Sequence, residues 1–249
     1  MIGGVHPLAA ALLVVAAPAA ERSAERELMV LTVANMAETA GAESRRIDPS
    51  VLRAMREVPR HLFVPEEERP FAYENRPLPI GHDQTISQPY IVALMTHLLQ
   101  LRPGDSVLEV GTGSGYQAAI LSKLVRWVHS IEIVEPLAAR SARVLSGLGY
   151  ANVEVRSGDG YAGWPERAPF DRIIVTAGAD HIPRPLLDQL RPGGRMVIPL
   201  GRKPDTLELT LVEKGPDGKV RKRALLPVRF VPLTRLPRHR QSAPDRPIR

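Results

Sequence analysis

The sequence predicts an α/β protein, with a mostly parallel twisted sheet, helices on both of its faces and antiparallel strands at its C-terminal edge. Three observations carry this. The stretch Val107-Leu108-Glu109-Val110-Gly111-Thr112-Gly113-Ser114-Gly115-Tyr116 reads as a buried strand, a tight glycine turn and the start of a helix. Strand-like apolar runs then alternate with helical patterns as far as residue 199, the alternation that builds parallel sheets. Last, Gly215-Pro216-Asp217-Gly218 lies between two strand-like runs and reads as a hairpin turn.

Taken in order, residues 8–20 are apolar and alanine-rich and end in Ala17-Pro18-Ala19-Ala20. The run is too short to span a bilayer. It fits the apolar region and small-residue cleavage site of a secretory signal, although no Lys or Arg precedes it. It also fits an upstream start, with the functional chain beginning near Met29. Residues 1–28 are therefore set apart as a leader or N-terminal extension, and 29–76 as a helical N-terminal region. Residues 21–57 have a helical pattern, with Asp48 as an N-cap and Pro49 at the first position of a second helix. Pro59 and Pro65 predict extended pieces around His61-Leu62-Phe63-Val64, and Glu66-Glu67-Glu68-Arg69 reads as a solvated face.

Residues 78–90 form a polar, turn-rich loop that leads into an apolar helix over 91–101. The loop is placed for substrate contact, but Thr85 and Ser87 could equally bond only to backbone. After the glycine turn come a helix to residue 124, the strand Trp127-Val128-His129-Ser130-Ile131-Glu132, a helix over 136–148 and a strand over 153–156. That strand opens into Gly158-Asp159-Gly160. A strand over 172–175, a helix over 183–190, a strand over 195–199 and two strands over 207–212 and 220–227 complete the principal domain, 77–235.

Composition narrows the chemistry. With 249 residues, 44% of them hydrophobic and 24% charged, the chain falls in the soluble globular range. It has no cysteine, which excludes disulfides, thiolate metal sites and cysteine nucleophiles. Its 7 histidines show no i, i+4 pair, which argues against a zinc site. The net charge of +6 raises the question of nucleic acid. Yet much of the excess lies in the tail, where Arg235, Arg238, Arg240, Arg246 and Arg249 face only Asp245, and aromatics make up just 4%, too few for a base-stacking platform. The tail 236–249 reads as basic and disordered.

The glycine turn lets backbone pass close to a ligand and aims helix N–H groups at it. Its spacing misses the dinucleotide pattern G-x-G-x-x-G by one residue. With Glu109 two residues before Gly111, it resembles motif I of the S-adenosylmethionine methyltransferases. Glu132 lies 21 residues beyond Gly111, where nucleotide-binding α/β folds place a carboxylate for ribose hydroxyls. Asp159 could accept from an adenine amino group or simply shape its turn.

Together these stretches resemble one family, the protein-L-isoaspartate O-methyltransferases, over about residues 29–233. The most specific stretch is Leu78-Pro79-Ile80-Gly81 followed by Gln84-Thr85-Ile86-Ser87-Gln88-Pro89-Tyr90. Glu109 to Ala119, Gly158-Asp159-Gly160, Ala168-Pro169-Phe170-Asp171 and Phe230-Val231-Pro232-Leu233 support it. The resemblance implies a Rossmann-like class I methyltransferase fold with S-adenosyl-L-methionine as donor. It implies that Glu109, Gly111, Gly113, Gly115, Glu132, Asp159 and Gly160 bind the donor. Thr85, Ile86 and Ser87 would line the substrate site, with Ser87 as the catalytic residue contacting the substrate carboxylate. The acceptor would be an isoaspartyl residue of a damaged protein or peptide, the chain a monomer with no stable nucleic-acid partner, membrane span or metal. The alternative is methyl transfer to a small molecule or nucleic acid. Val175-Thr176-Ala177-Gly178 stands where amino-directed enzymes often carry Asn/Asp-Pro-Pro-aromatic, which argues against that rival. Because the donor is made in the cytosol, a cytoplasmic location is favoured over export through residues 1–20.

Overall fold

A computed structural model describes residues 21–39, 46–202 and 206–235. The expected leader at 1–20 and the expected disordered tail at 236–249 lie outside the described residues. Seven strands form the main sheet: β3 (Ser106–Val110), β4 (Trp127–Glu132), β5 (Val153–Ser157), β6 (Phe170–Val175), β7 (Leu190–Leu200), β8 (Leu207–Lys214) and β9 (Val220–Val228). Their order is β5-β4-β3-β6-β7-β8-β9. The first five run parallel, and β8 pairs antiparallel with both β7 and β9, the latter as the hairpin at 215–218 predicts. This is the expected α/β class, a mostly parallel Rossmann-like sheet with an antiparallel edge.

Both faces of the central strands are covered, so β3 and β6 are buried almost continuously rather than at alternate residues. Leu108, Val110, Ile173 and Val175 join the core on one face. Val107 and Ile174 join a larger cluster on the other, with Met29, Val33, Met55 and Leu94 from helices α1 (Ser23–Thr39), α2 (Pro49–Glu57) and α3 (Pro89–Leu98). The N-terminal helices thus share their core with the sheet. The boundary drawn at Met29 falls inside α1, whose Arg26 is already buried. Asp48 caps α2 as expected, its Oδ1 accepting from Ser50 N at 2.7 Å.

Two local expectations are corrected. The segment between Pro59 and Pro70 is not extended: it forms 3-10 turns over Arg60–Phe63 and Glu66–Phe71. Proline fixes φ near the helical value, and such short turns need few of the N–H donors it lacks. Residues 78–86 are not a plain loop but a two-stranded antiparallel hairpin, β1 (Leu78–Gly81) and β2 (Gln84–Ile86). Helix α4 (Tyr116–Ser122) starts two residues later than expected, because Gly115 serves as its left-handed N-cap with φ 89°. Helices α5 (Glu135–Gly147) and α6 (Arg184–Gln189) lie close to their expected places. Among the described residues no helix is long and apolar enough to cross a membrane.

Candidate active site

Connections from β3 run to β4 on one side, while β6 closes the other. Chain direction over the sheet reverses there, which opens a crevice at the strands' C-terminal ends. A cleft lies at that point. Its walls come from the β2 end (Thr85, Ile86, Ser87), the glycine turn (Gly111, Gly113), Glu132, Gly160, Thr176 and the segment 231–234.

The glycine turn is fixed by backbone geometry. Gly111, Gly113 and Gly115 all have positive φ. Gly111 N and Thr112 N donate to Ile131 O at 2.8 and 3.2 Å, and Gly115 N to Thr112 O at 2.8 Å. A Cβ on Gly111 would come within 2.5 Å of Thr176 Oγ1. That hydroxyl instead donates to Gly111 O at 2.6 Å. Two carboxylates stand near the turn with opposite surroundings. Glu132 ends β4 and lines the cleft. Its Oε2 accepts from Gly113 N at 2.8 Å and its Oε1 from Val134 N at 2.9 Å. Each oxygen keeps a lone pair for a ligand hydroxyl.

The residues expected to line the substrate side lie at the end of the hairpin. Ile86 is buried, Ser87 half-buried and Thr85 exposed. The Ser87 carbonyl accepts from Arg60 Nη2 at 2.9 Å, while its hydroxyl has no partner among the described residues. The far wall is the segment after β9. Gly178 N donates to Val231 O at 2.8 Å and Leu233 N to Gly178 O at 2.7 Å, pinning this segment beside the end of β6.

The profile of the protein-L-isoaspartate(D-aspartate) O-methyltransferase family matches residues 35–237. The chain belongs to this family. It is 59% identical to protein-L-isoaspartate O-methyltransferase 1 of Cupriavidus necator over 211 residues, 84% of this chain and 82% of that one. It is 64% identical to protein-L-isoaspartate O-methyltransferase 2 of Syntrophobacter fumaroxidans over 188 residues, 76% of each chain. A solved protein-L-isoaspartate O-methyltransferase superposes with a TM-score of 0.74 at 30% identity, over 83% of this chain and 65% of that longer one. A Plasmodium falciparum candidate member, solved with S-adenosyl-L-homocysteine, gives 0.72 at 25% identity over 85% and 99%.

Of the residues expected to serve this family's chemistry, Thr85, Ile86, Ser87, Gly111, Gly113, Glu132 and Gly160 all meet in the cleft. Three are not among its lining residues. Glu109 has no exposure and lies within β3; its Oε2 accepts from Ser130 Oγ at 2.5 Å, and burial pushes its carboxyl up to about 8. Ser130 Oγ lies 2.5 Å from Thr112 Oγ1, so Glu109 braces the turn from behind. Gly115 packs against α5, where a Cβ would sit 3.2 Å from Leu145 Cδ1. Asp159 caps the turn at 160–162, accepting from Tyr161 N at 2.9 Å. Lining residues that sequence reasoning passed over include Thr176, Gln117 and Leu233. Gln117 offered one signal, a polar residue on an otherwise apolar helix.

Proposed function

We propose that this cleft transfers a methyl group from S-adenosylmethionine to the free α-carboxylate of L-isoaspartyl residues in damaged proteins and peptides. Family membership over most of the chain is the observation that carries this reading. The cleft fits the donor: its glycine turn has no room for a side chain at Gly111, and Glu132 presents a carboxylate for ribose hydroxyls.

Gly111 and Gly113 would let the donor lie against backbone, Glu132 would hold its ribose, and Gly160 would leave space beside its base. Glu109 and Gly115 would support these residues rather than touch the donor, and Asp159 would accept from its adenine amino group. Bound S-adenosylmethionine supplies a sulfonium-activated methyl group, which an ionised carboxylate attacks without a base. The isoaspartyl α-carboxyl has an ordinary pKa of about 3.5 and is ionised at neutral pH. The protein's task is therefore alignment and exclusion of water, and alignment can supply roughly 7–11 kcal/mol in favourable cases. Ser87 Oγ would donate to one carboxylate oxygen and aim the other along the transfer line. Thr85 and Ile86 would flank it. The ester product then closes to a succinimide as the next backbone nitrogen displaces methanol, and reopening yields some normal aspartate. The site as read needs no second chain, nucleic acid or metal, and we assign the reaction to the cytoplasm, where the donor is made.

The test is methyl transfer from labelled S-adenosylmethionine to two synthetic peptides that differ only in isoAsp against Asp, with Ser87→Ala alongside. Base-labile label on the isoAsp peptide alone is expected. Ser87→Ala should keep the wild-type melting temperature and lose about tenfold or more in turnover, the size of one charge-assisted hydrogen bond. Label on neither peptide despite cofactor binding would overturn the acceptor. Unchanged turnover would remove Ser87 from the mechanism.

A further inference from the structure

Arg60 is fully buried, yet no carboxylate is among its partners in the described residues. Its guanidinium makes three contacts in three parts of the chain. Nε donates to Ala72 O at 2.8 Å, at the end of the 3-10 turns. Nη2 donates to Ser87 O at 2.9 Å. The Cζ atom sits 4.8 Å from the centre of the Tyr116 ring, in the geometry of a cation–π contact. Tyr116 opens α4, the helix that leaves the glycine turn. One planar group therefore ties the substrate-side segment to the helix of the cofactor loop.

Stability alone gives no reason for a charge here. Burying an unpaired cation is costly, and an apolar side chain of similar volume often serves a core as well or better. Burial lowers the guanidinium only to about 10, so it stays charged at neutral pH. Nη1 has no hydrogen-bond partner among the described residues, which adds to the cost. What an apolar residue could not supply is the directed pair of bonds to Ala72 O and Ser87 O.

We propose that Arg60 is a positioning residue for methyl transfer, holding the Ser87 peptide at the distance from the cofactor turn that lets the Ser87 hydroxyl meet the substrate carboxylate. The proposal rests on the reading of Ser87 given above. Lysine in its place keeps a charge but cannot span two carbonyls and lie flat on a ring.

Arg60→Lys tests it, with kcat and KM measured on the isoAsp peptide and S-adenosylhomocysteine affinity measured by calorimetry. The turn itself is held by Glu132 and Thr176, not by Arg60. The expected result is a loss of about tenfold or more in kcat/KM, toward the ~100-fold that a 1 Å misplacement can cost. Cofactor affinity should stay within about twofold, since the turn keeps its bonds to Glu132 and Thr176. Wild-type kinetics, or cofactor affinity falling in step with kcat/KM, would overturn it. A cycle with Ser87→Ala separates the two readings. If Arg60 acts through Ser87, the double variant loses less than the product of the two single losses. A loss equal to that product overturns the role of Arg60 while leaving Ser87 in place. A silent Ser87→Ala removes Ser87 itself. Should Arg60→Lys not fold, Tyr116→Leu takes the ring from beneath the guanidinium and must show the same pattern at smaller size; wild-type kinetics there overturn the proposal.

Discussion

Replacing Glu109 by Gln isolates one ionisation in the core. Burial pushes this carboxyl from 4.5 up to about 8, and the charge of nearby Glu132 adds to the shift in the same direction. Between those two values the folded protein holds a proton that the unfolded chain has released. Stability therefore falls as pH rises through the window and levels off above about 8. From pH 6 to pH 8 the folded state gives up roughly 2 kcal/mol by this route, at about 1.4 kcal/mol per full pH unit. For a chain of this size that is about 4–8 °C in melting temperature. Glutamine cannot titrate, and its oxygen can still accept from Ser130 Oγ. Its buried NH2 costs about 1–3 kcal/mol at every pH, so the variant's absolute melting point is not the measure. The measure is the gap between wild type and Glu109→Gln, followed by circular dichroism at pH 6 and at pH 8. The variant should gain on the wild type by that 4–8 °C, because all other titrating groups are common to both. A gap that stays constant across the range would mean that Glu109 is ionised in the folded protein, and the reasoning would fail.

Two further perturbations probe the cofactor side by calorimetry with S-adenosylhomocysteine. Gly111→Ala forces a side chain into φ 98° and toward Thr176 Oγ1; strain of about 1–3 kcal/mol corresponds to a loss of affinity of roughly five- to 150-fold, and affinity within twofold of wild type would contradict the close packing. Glu132→Gln turns one of two acceptors into a donor facing a backbone N–H, so affinity should drop by about tenfold or more while the KM for peptide holds; a rise in peptide KM alone would place Glu132 on the wrong side of the cleft.

Much of this was legible because it is local. A turn such as 111–115 announces itself through glycines that alone tolerate its φ values. Asp48 before Pro49 is a cap that needs no tertiary partner, and the glycines around Pro216-Asp217 bend any chain. The hairpin at 78–86 escaped notice for a specific reason. Its turn residues His82 and Asp83 both take φ 55°, a conformation usually signalled by Asn-Gly or Asp-Gly. Arg60 and Thr176 escaped for another. Each works through a carbonyl brought near by the fold, 27 residues away for Arg60 and 65 for Thr176, and no pattern along the chain records such a pair. Glu109 shows the reverse error. Its spacing from Gly111 suggested ligand contact, but residues on a central strand point into packed layers on both faces, and this one points at Ser130.

The wall formed by 231–234 has a consequence in time rather than in space. Translation delivers these residues after every strand of the sheet, so a growing chain carries its glycine turn and the hairpin at 78–86 well before their enclosure exists. A stop codon or proteolytic cut between Val228 and Val231 leaves intact all seven strands and the carboxylate of Glu132, yet leaves the cleft open along the flank that Leu233 covers. The enclosing flank is thus the last part of the cleft to be made, supplied by a few residues with no catalytic chemistry of their own.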